Sequence, residues 1–317
     1  MTSTPRGHHY VPQVLLAGFT ATGTKTGRLH IVDLVRRTTY PSTPAETGKE
    51  KDYNLIEVEG VDPFAIESGL FATEIEGPAG PALATVRSGG VPSDEDRQRL
   101  LAFMAMQELR GPSRREAYDD FTTRAMRMLM AAVTDTEEMF EAQKRAHPEL
   151  EGISREEAME WASNTKMAWP PTGHLQAQLP SFGPILDLLA RRSWMVLIAP
   201  AGVDFVCTDN PVVIIPAGTR PVDAPRGFAS ADAPVLMAVG RQHALLGQWP
   251  PDGDVPVWHG MNVDARTVAM MNTCAIFKAH RFIASPTDNF TWLRGSDGSI
   301  ADRAALVEYL KQQAPGL

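Results

Sequence analysis

The pattern of the chain changes at Ser193. Upstream, from Ser93 to Arg192, apolar residues recur every three or four positions between polar caps. Downstream, short apolar runs such as Trp194–Ile198 and Pro234–Val239 are cut by Pro and Gly. The first pattern has the period of an amphipathic helix and the second that of short strands. A chain written this way segregates helices from strands, so the expected class is α+β. The expected arrangement is a mostly helical N-terminal half packed on a mixed or antiparallel sheet formed mainly by the C-terminal half. At 317 residues the chain reads as a single globular domain over 1–317. A subdivision near 192 would separate a helical part, 60–192, from a β-rich part, 193–285.

Local signals place the elements. Asp62-Pro63 opens a helix through Val86 that Pro78 and Pro81 interrupt. Ser93 with Asp96 starts a helix ending at Gly111-Pro112, and further helices are expected over Arg114–Ala132 and Thr136–Arg145. Ser154 with Glu157 makes a capping box for a helix to about Met167, and Pro184 starts another to Arg192. Arg28–Leu34 reads as a strand with Asp52–Glu59 as its partner, and because the N-terminal strands are too short to form a stable sheet alone, one domain is favoured over two. Phe205–Thr208, Val212–Ile215, His243–Gly247 and Phe282–Ala284 read as strands, with Pro211 marking a bend. Asn262–Ala279 and Asp302–Gln312 read as helices. Pro and Gly gather in loops at Pro41–Gly48 and Pro216–Pro234.

Composition matters here for what it excludes. The 30 Lys+Arg against 38 Asp+Glu give a net charge of −8, which disfavours a broad nucleic-acid or membrane-surface footprint. The cysteines Cys207 and Cys274 cannot form a disulfide framework or a four-cysteine zinc site. Trp194–Val203, the longest apolar stretch, is about half of the ~20 residues that a membrane helix needs. The first residues lack a secretory signal, so a cytoplasmic location is expected. Walker A, GxGxxG, GxSxG, HExxH and CxxC patterns are absent from the sequence.

Several polar residues stand in apolar surroundings. His8 and His9 are adjacent, so at most one faces a given pocket, and either is a metal ligand, an acid–base group or a packed core imidazole. Glu67 and Glu74 share one helical face while Glu74 and Glu76 diverge. Such carboxylates bind a cation, act as a base or simply face solvent. Gln107 and Arg110 lie on the apolar stripe of Phe103 and Met104. Arg110 would either clamp an anion or pair structurally with Asp209 or a helix end. Asp209 and Asn210 end a buried strand before Pro211, as site residues on rigid support or as an Asx-turn. Cys207 reads as a small buried apolar residue, and Asn272, His280 and Arg281 as ordinary helix chemistry.

In order, these segments resemble a known family. HHYVPQVLLAGF resembles the opening signature of the bacterial family catalogued as domain of unknown function 4238, with His9 at the signature histidine. IESGLFATEIEGPA, FMAMQELRGP, FVCTDNPV and NTCAIFKAHRFIAS resemble its later landmarks, so the likeness spans Gly7 to Ser285. It raises His9, Glu76, Gln107, Arg110, Asp209 and Asn210 as candidates and supplies no reaction. That residue set fits a metal-dependent hydrolase, such as a phosphodiesterase or a nuclease of a defence or toxin type. In that scheme His9, Glu76 and Asp209 hold a divalent metal (Mg, Mn or Fe). Arg110 steadies developing charge, and Gln107 or Asn210 orients a small-molecule or nucleic-acid substrate. The alternatives are a non-catalytic small-ligand-binding or regulatory protein, and a biosynthetic non-haem iron enzyme.

Overall fold

A computed structural model describes residues 6–216, 226–251, 254–295 and 298–312. Residues 217–225 of the expected Pro216–Pro234 loop lie outside that set. The chain opens with β1 (Gly7–His9), α1 (Gln13–Ala17), β2 (Leu29–Asp33), β3 (Thr38–Ser42) and β4 (Lys49–Lys51). A π-helical segment, Ala65–Glu76, runs into α2 (Gly77–Arg87). Then come α3 (Asp94–Arg110), α4 (Pro112–Val133), α5 (Glu137–Ala146), α6 (Arg155–Asn164), α7 (Pro171–Gln178) and α8 (Phe182–Ala190). The strands β5 (Ser193–Ile198), β6 (Cys207–Thr208), β7 (Val212–Ile214), β8 (Val235–Gly240), β9 (His243–Gln248) and β10 (Trp258–Asn262) follow. The described chain closes with α9 (Ala265–Lys278), β11 (Phe282–Ser285), β12 (Thr291–Arg294), β13 (Ser299–Asp302) and α10 (Arg303–Gln312).

The expected arrangement is corrected in two respects. Helices are spread through the chain, with α9 and α10 in its second half, and the strands form several sheets rather than one. A five-stranded sheet has the order β10-β5-β9-β8-β7, and a four-stranded sheet has the order β3-β2-β11-β6. The second takes two strands from the first 42 residues and two from beyond residue 206. Pro211 is the physical cause of the split. It has no N–H to give a ladder, and the bend it ends sends β6 to pair with β11 and β7 to pair with β8. The strand at 29–33 pairs with β3, not with Asp52–Glu59, because Asp33 Oδ1 accepts the Arg36 N–H at 2.8 Å and turns the chain back at once.

Caps read from sequence are formed. Ser93 Oγ accepts from the Asp96 N–H at 3.2 Å, and Ser154 and Glu157 exchange both bonds of a capping box. Asp264 Oδ1 caps α9 through Thr267 N–H at 2.7 Å. From Leu100 onward α3 is buried on nearly every side, against α2 and α8. By contrast α4, 22 residues long, buries only Pro112, Arg115 and Thr123. In the larger sheet a Cβ on Gly247 would stand 2.7 Å from the Trp194 ring, so glycine there is what lets the indole cross the strand. That indole donates to the Leu189 carbonyl at 3.0 Å and ties α8 to β5.

Asn272, buried on α9, joins three segments. Its Oδ1 accepts from Val206 N–H at 3.0 Å, and its Nδ2 donates to the carbonyls of Asp204 and Thr291. Asn272→Leu keeps the volume but strands a donor and two acceptors. It is expected to lower unfolding free energy by about 2–4 kcal/mol in urea denaturation, with an unchanged m-value.

Candidate functional site

Alternation along β1 turns His8 inward, where it is fully buried, and leaves His9 half-buried. His8 Nδ1 accepts the Asn54 N–H at 2.9 Å, and its ring meets Phe64 edge-on. Asn54 is the next link: its Nδ2 donates to Glu67 at 2.7 Å and its Oδ1 accepts from Arg115 at 3.0 Å. Arg115 also donates to the Tyr53 carbonyl and lies 3.5 Å over the Tyr53 ring. The Tyr53 hydroxyl, pushed up by burial, donates to the Arg110 carbonyl at 3.0 Å at the end of α3.

Arg110, 2% exposed, donates to Glu76 at 2.8 Å and lies 5.1 Å over the Phe71 ring. The Gln107 oxygen accepts from its Nε at 2.9 Å and its Nη2 at 2.7 Å, the amide orientation that satisfies both groups. Thus Gln107, Arg110 and Glu76 do come together, as a buried ion pair with an amide partner. The winding of the Ala65–Glu76 segment permits it. Nine residues are two and a half turns of α-helix, which would set Glu67 and Glu76 on opposite faces. The wider π winding brings nine residues close to two full turns. Glu67 and Glu76 therefore both reach this hub, and Glu74 faces solvent.

Asp209 sits on the other side. Its carboxylate accepts N–H groups of His280 at 3.1 Å, Arg281 at 3.1 Å and Phe282 at 3.3 Å. Burial pushes this carboxyl up while those three donors pull it down. Asn210 accepts from Ser113 at 2.5 Å and donates to the Lys278 carbonyl at 2.7 Å. Arg281 then packs 5.4 Å over the Tyr10 ring and bridges Glu50 and Glu116.

The metal set expected from sequence is not assembled. His9 and Glu76 are close enough for the carboxylate to act on the imidazole, whose protonation burial opposes. Asp209 spends its oxygens on backbone N–H groups, and Glu76 on Arg110. Among the described residues no three His, Cys, Asp or Glu side chains converge where a metal ion could sit.

A polar cleft of about 280 Å³ opens beside this hub, lined by Tyr53, Arg115, Glu116, Asp119, Trp169, His174 and Arg281 among others. His174 is 4% exposed. Its Nε2 lies 3.4 Å from Asp119 Oδ1, and its Nδ1 is buried with no hydrogen-bond partner among the described residues. Asp119 Oδ1 is itself fixed by the Trp169 N–H at 3.0 Å, and the Tyr118 ring meets the imidazole edge-on. Burial lowers the His174 pKa, Asp119 opposes that, Arg115 adds to it and the Trp169 backbone opposes it. The result is an imidazole, its protonation opposed by burial, beside a carboxylate on the wall of a charged cleft.

Sequence reasoning did not select His174, Asp119, Arg115 or Asn54. Arg115 and Asp119 are four apart on a helix that was expected, a spacing shared with ordinary surface ion pairs. His174 follows Pro170-Pro171, which marks a helix start and nothing about its partner.

A family model described as protein of unknown function (DUF4238) matches residues 7–289. No curated protein and no solved structure matches the chain. The matched span holds every residue of the hub and the cleft and stops before β12.

Asp209→Ala leaves three adjacent backbone N–H groups unpaired in the interior. Its unfolding free energy is expected to fall by about 2–4 kcal/mol, whereas His174→Ala, which removes a buried ring but strands no backbone donor, falls by about 1–2 kcal/mol. Parallel chemical denaturation of the two variants checks both values.

Proposed function

The chain belongs to the DUF4238 family, and we propose that its charged cleft is the active site of a hydrolase in which His174 is the general base. The observation that carries this reading is the buried His174 imidazole, 3.4 Å from Asp119, on the wall of a cleft of about 280 Å³. A proton on Nε2 facing Asp119 leaves the lone pair on the buried Nδ1, which takes a proton from the cleft when the ring turns toward it. The lowered pKa keeps that lone pair free at neutral pH. Among the described residues no hydroxyl of Ser or Thr lines this cleft, so the proton comes from water or from a substrate hydroxyl. Arg115, which lines the same cleft, supplies positive charge beside developing negative charge. Glu50, Asp52, Glu116 and Asp119 on the same walls favour a small substrate over a nucleic acid.

The test is turnover of a chromogenic panel of carboxylic esters, amides, phosphomonoesters and phosphodiesters by wild type, His174→Ala and Asp119→Asn. One class is expected to be hydrolysed, with the His174→Ala rate about 10²–10⁴-fold lower and the far-UV spectrum unchanged. No turnover of any class, or equal turnover by His174→Ala, would sink the reading. Protonation of His174 removes the base, so kcat/KM is expected to be retained at neutral pH and lost on acidification. Burial sets the midpoint of that acid limb below the ordinary imidazole value, and a pH profile with a midpoint above it would contradict the assignment.

A further inference from the structure

We propose that a second cleft, on the opposite face of α4, binds a small apolar carboxylate. Arg115, Glu116 and Asp119 face the first cleft. Arg114, Ala117, Tyr118 and Phe121 follow the i, i+3, i+4, i+7 stripe on the other side and line a cleft of about 440 Å³. Leu109, Ile185 and Leu188 close it from α3 and α8. Ligand sites are concave and mostly apolar, with a few polar groups that fix orientation. Here those groups are Arg114 and Gln178.

Two observations point to the ligand's chemistry. Gln178 is 8% exposed and lines the cleft, and its Nε2 is buried with no hydrogen-bond partner among the described residues. A buried amide N–H left unpaired costs folding free energy that an acceptor on a ligand would recover. Arg114 adds a cation on the same wall. Its ion-pair partner, Glu108, lies at 2.7 Å, and burial raises that carboxyl to about 7. The guanidinium fork carries five N–H donors, more than this one ion pair occupies. Apart from Ser181, the remaining wall is aliphatic and aromatic, including Phe121 at 62% exposure, a ring that covers nothing of its own chain well. An acceptor with negative charge at one end and a hydrocarbon body at the other fits this lining.

This proposal does not rest on the His174 reading, and its test reads binding rather than turnover. Wild type is titrated calorimetrically with hexanoate, octanoate, decanoate and octanamide. Saturable binding is expected, tightening about fourfold per added methylene, with octanoate bound more tightly than octanamide. Ala117 is exposed at the cleft, so Ala117→Trp fills it without disturbing the core and is expected to abolish binding. Arg114→Gln is expected to reduce octanoate to the affinity of octanamide, and Gln178→Leu to weaken both roughly five- to tenfold. Absence of saturable binding to wild type overturns the proposal. So does equal affinity in wild type and Ala117→Trp, or a carboxylate preference that survives Arg114→Gln.

Discussion

Two guanidinium groups, Arg110 and Arg115, are buried on either side of the Gly111-Pro112 corner, and much of the N-terminal architecture follows from having to satisfy them. A buried cation without partners costs several kcal/mol. Arg110 is met by Gln107 from its own helix and by Glu76 from the π segment. Arg115 is met by the Tyr53 carbonyl, Asn54 and the face of the Tyr53 ring. The helices thus dictate where the chain from β1 to α2 must lie. Asn54 then needs its own partners, and Glu67 and the His8 imidazole supply them. One demand for charge compensation fixes the register of β1 on β4 and the π winding together.

The break at Asp209-Asn210 solves a related problem for the C-terminal half. A strand that ends inside the protein leaves the following chain to be redirected without exposing backbone donors. Asp209 collects the three N–H groups where α9 gives way to β11, and Asn210 joins the end of α9 to the start of α4. A Cβ on Gly111 would stand 3.0 Å from Asn210 Oδ1, so glycine lets the corner between α3 and α4 close without displacing that amide. The corner that buries the two cations and the bend that divides the sheets therefore meet at one place. Neither side chain closes an Asx-turn: both reach distant segments, and the local turn bond is the Asn210 N–H to Thr208 Oγ1 at 3.3 Å.

The sequence made legible what local chemistry decides. Ser93 and Ser154 announced their helices because caps act within one turn. Leu29–Asp33 and Trp194–Ile198 were readable as strands because burial marks them with apolar runs. Trp258–Asn262 was not, since WHGMN is an edge strand on which Gly260 and Asn262 carry no apolar face and β5 alone holds it. The pairing of Gln107 with Arg110 was readable from a three-residue spacing, but its carboxylate was not. Choosing Glu76 over Asp209 depends on π winding, which has no periodic signature in a twelve-residue stretch. His174 and Asp119 were hidden for the same reason. Fifty-five positions separate them, and the contact exists only because α7 returns across α4.

The weak burial of α4 gives these clefts their place. Its start is fixed by Arg115 in the hub, and its later turns by Arg127, which donates to the carbonyls of Ala162 in α6 and Thr165 just past it. Thr123 accepts the Met167 N–H at 2.9 Å and Asp119 the Trp169 N–H at 3.0 Å, so the chain entering α7 is laced to the same helix. A helix held by polar ties rather than by a buried stripe keeps most of its circumference uncovered. On one side that surface faces His174 and the carboxylates. On the other it faces Gln178 and the aliphatic residues of α8. Tyr118 lines the second cleft while its ring packs against Trp169 and His174 of the first. A ligand that moved that ring would change the packing of the imidazole directly, without any longer path through the core.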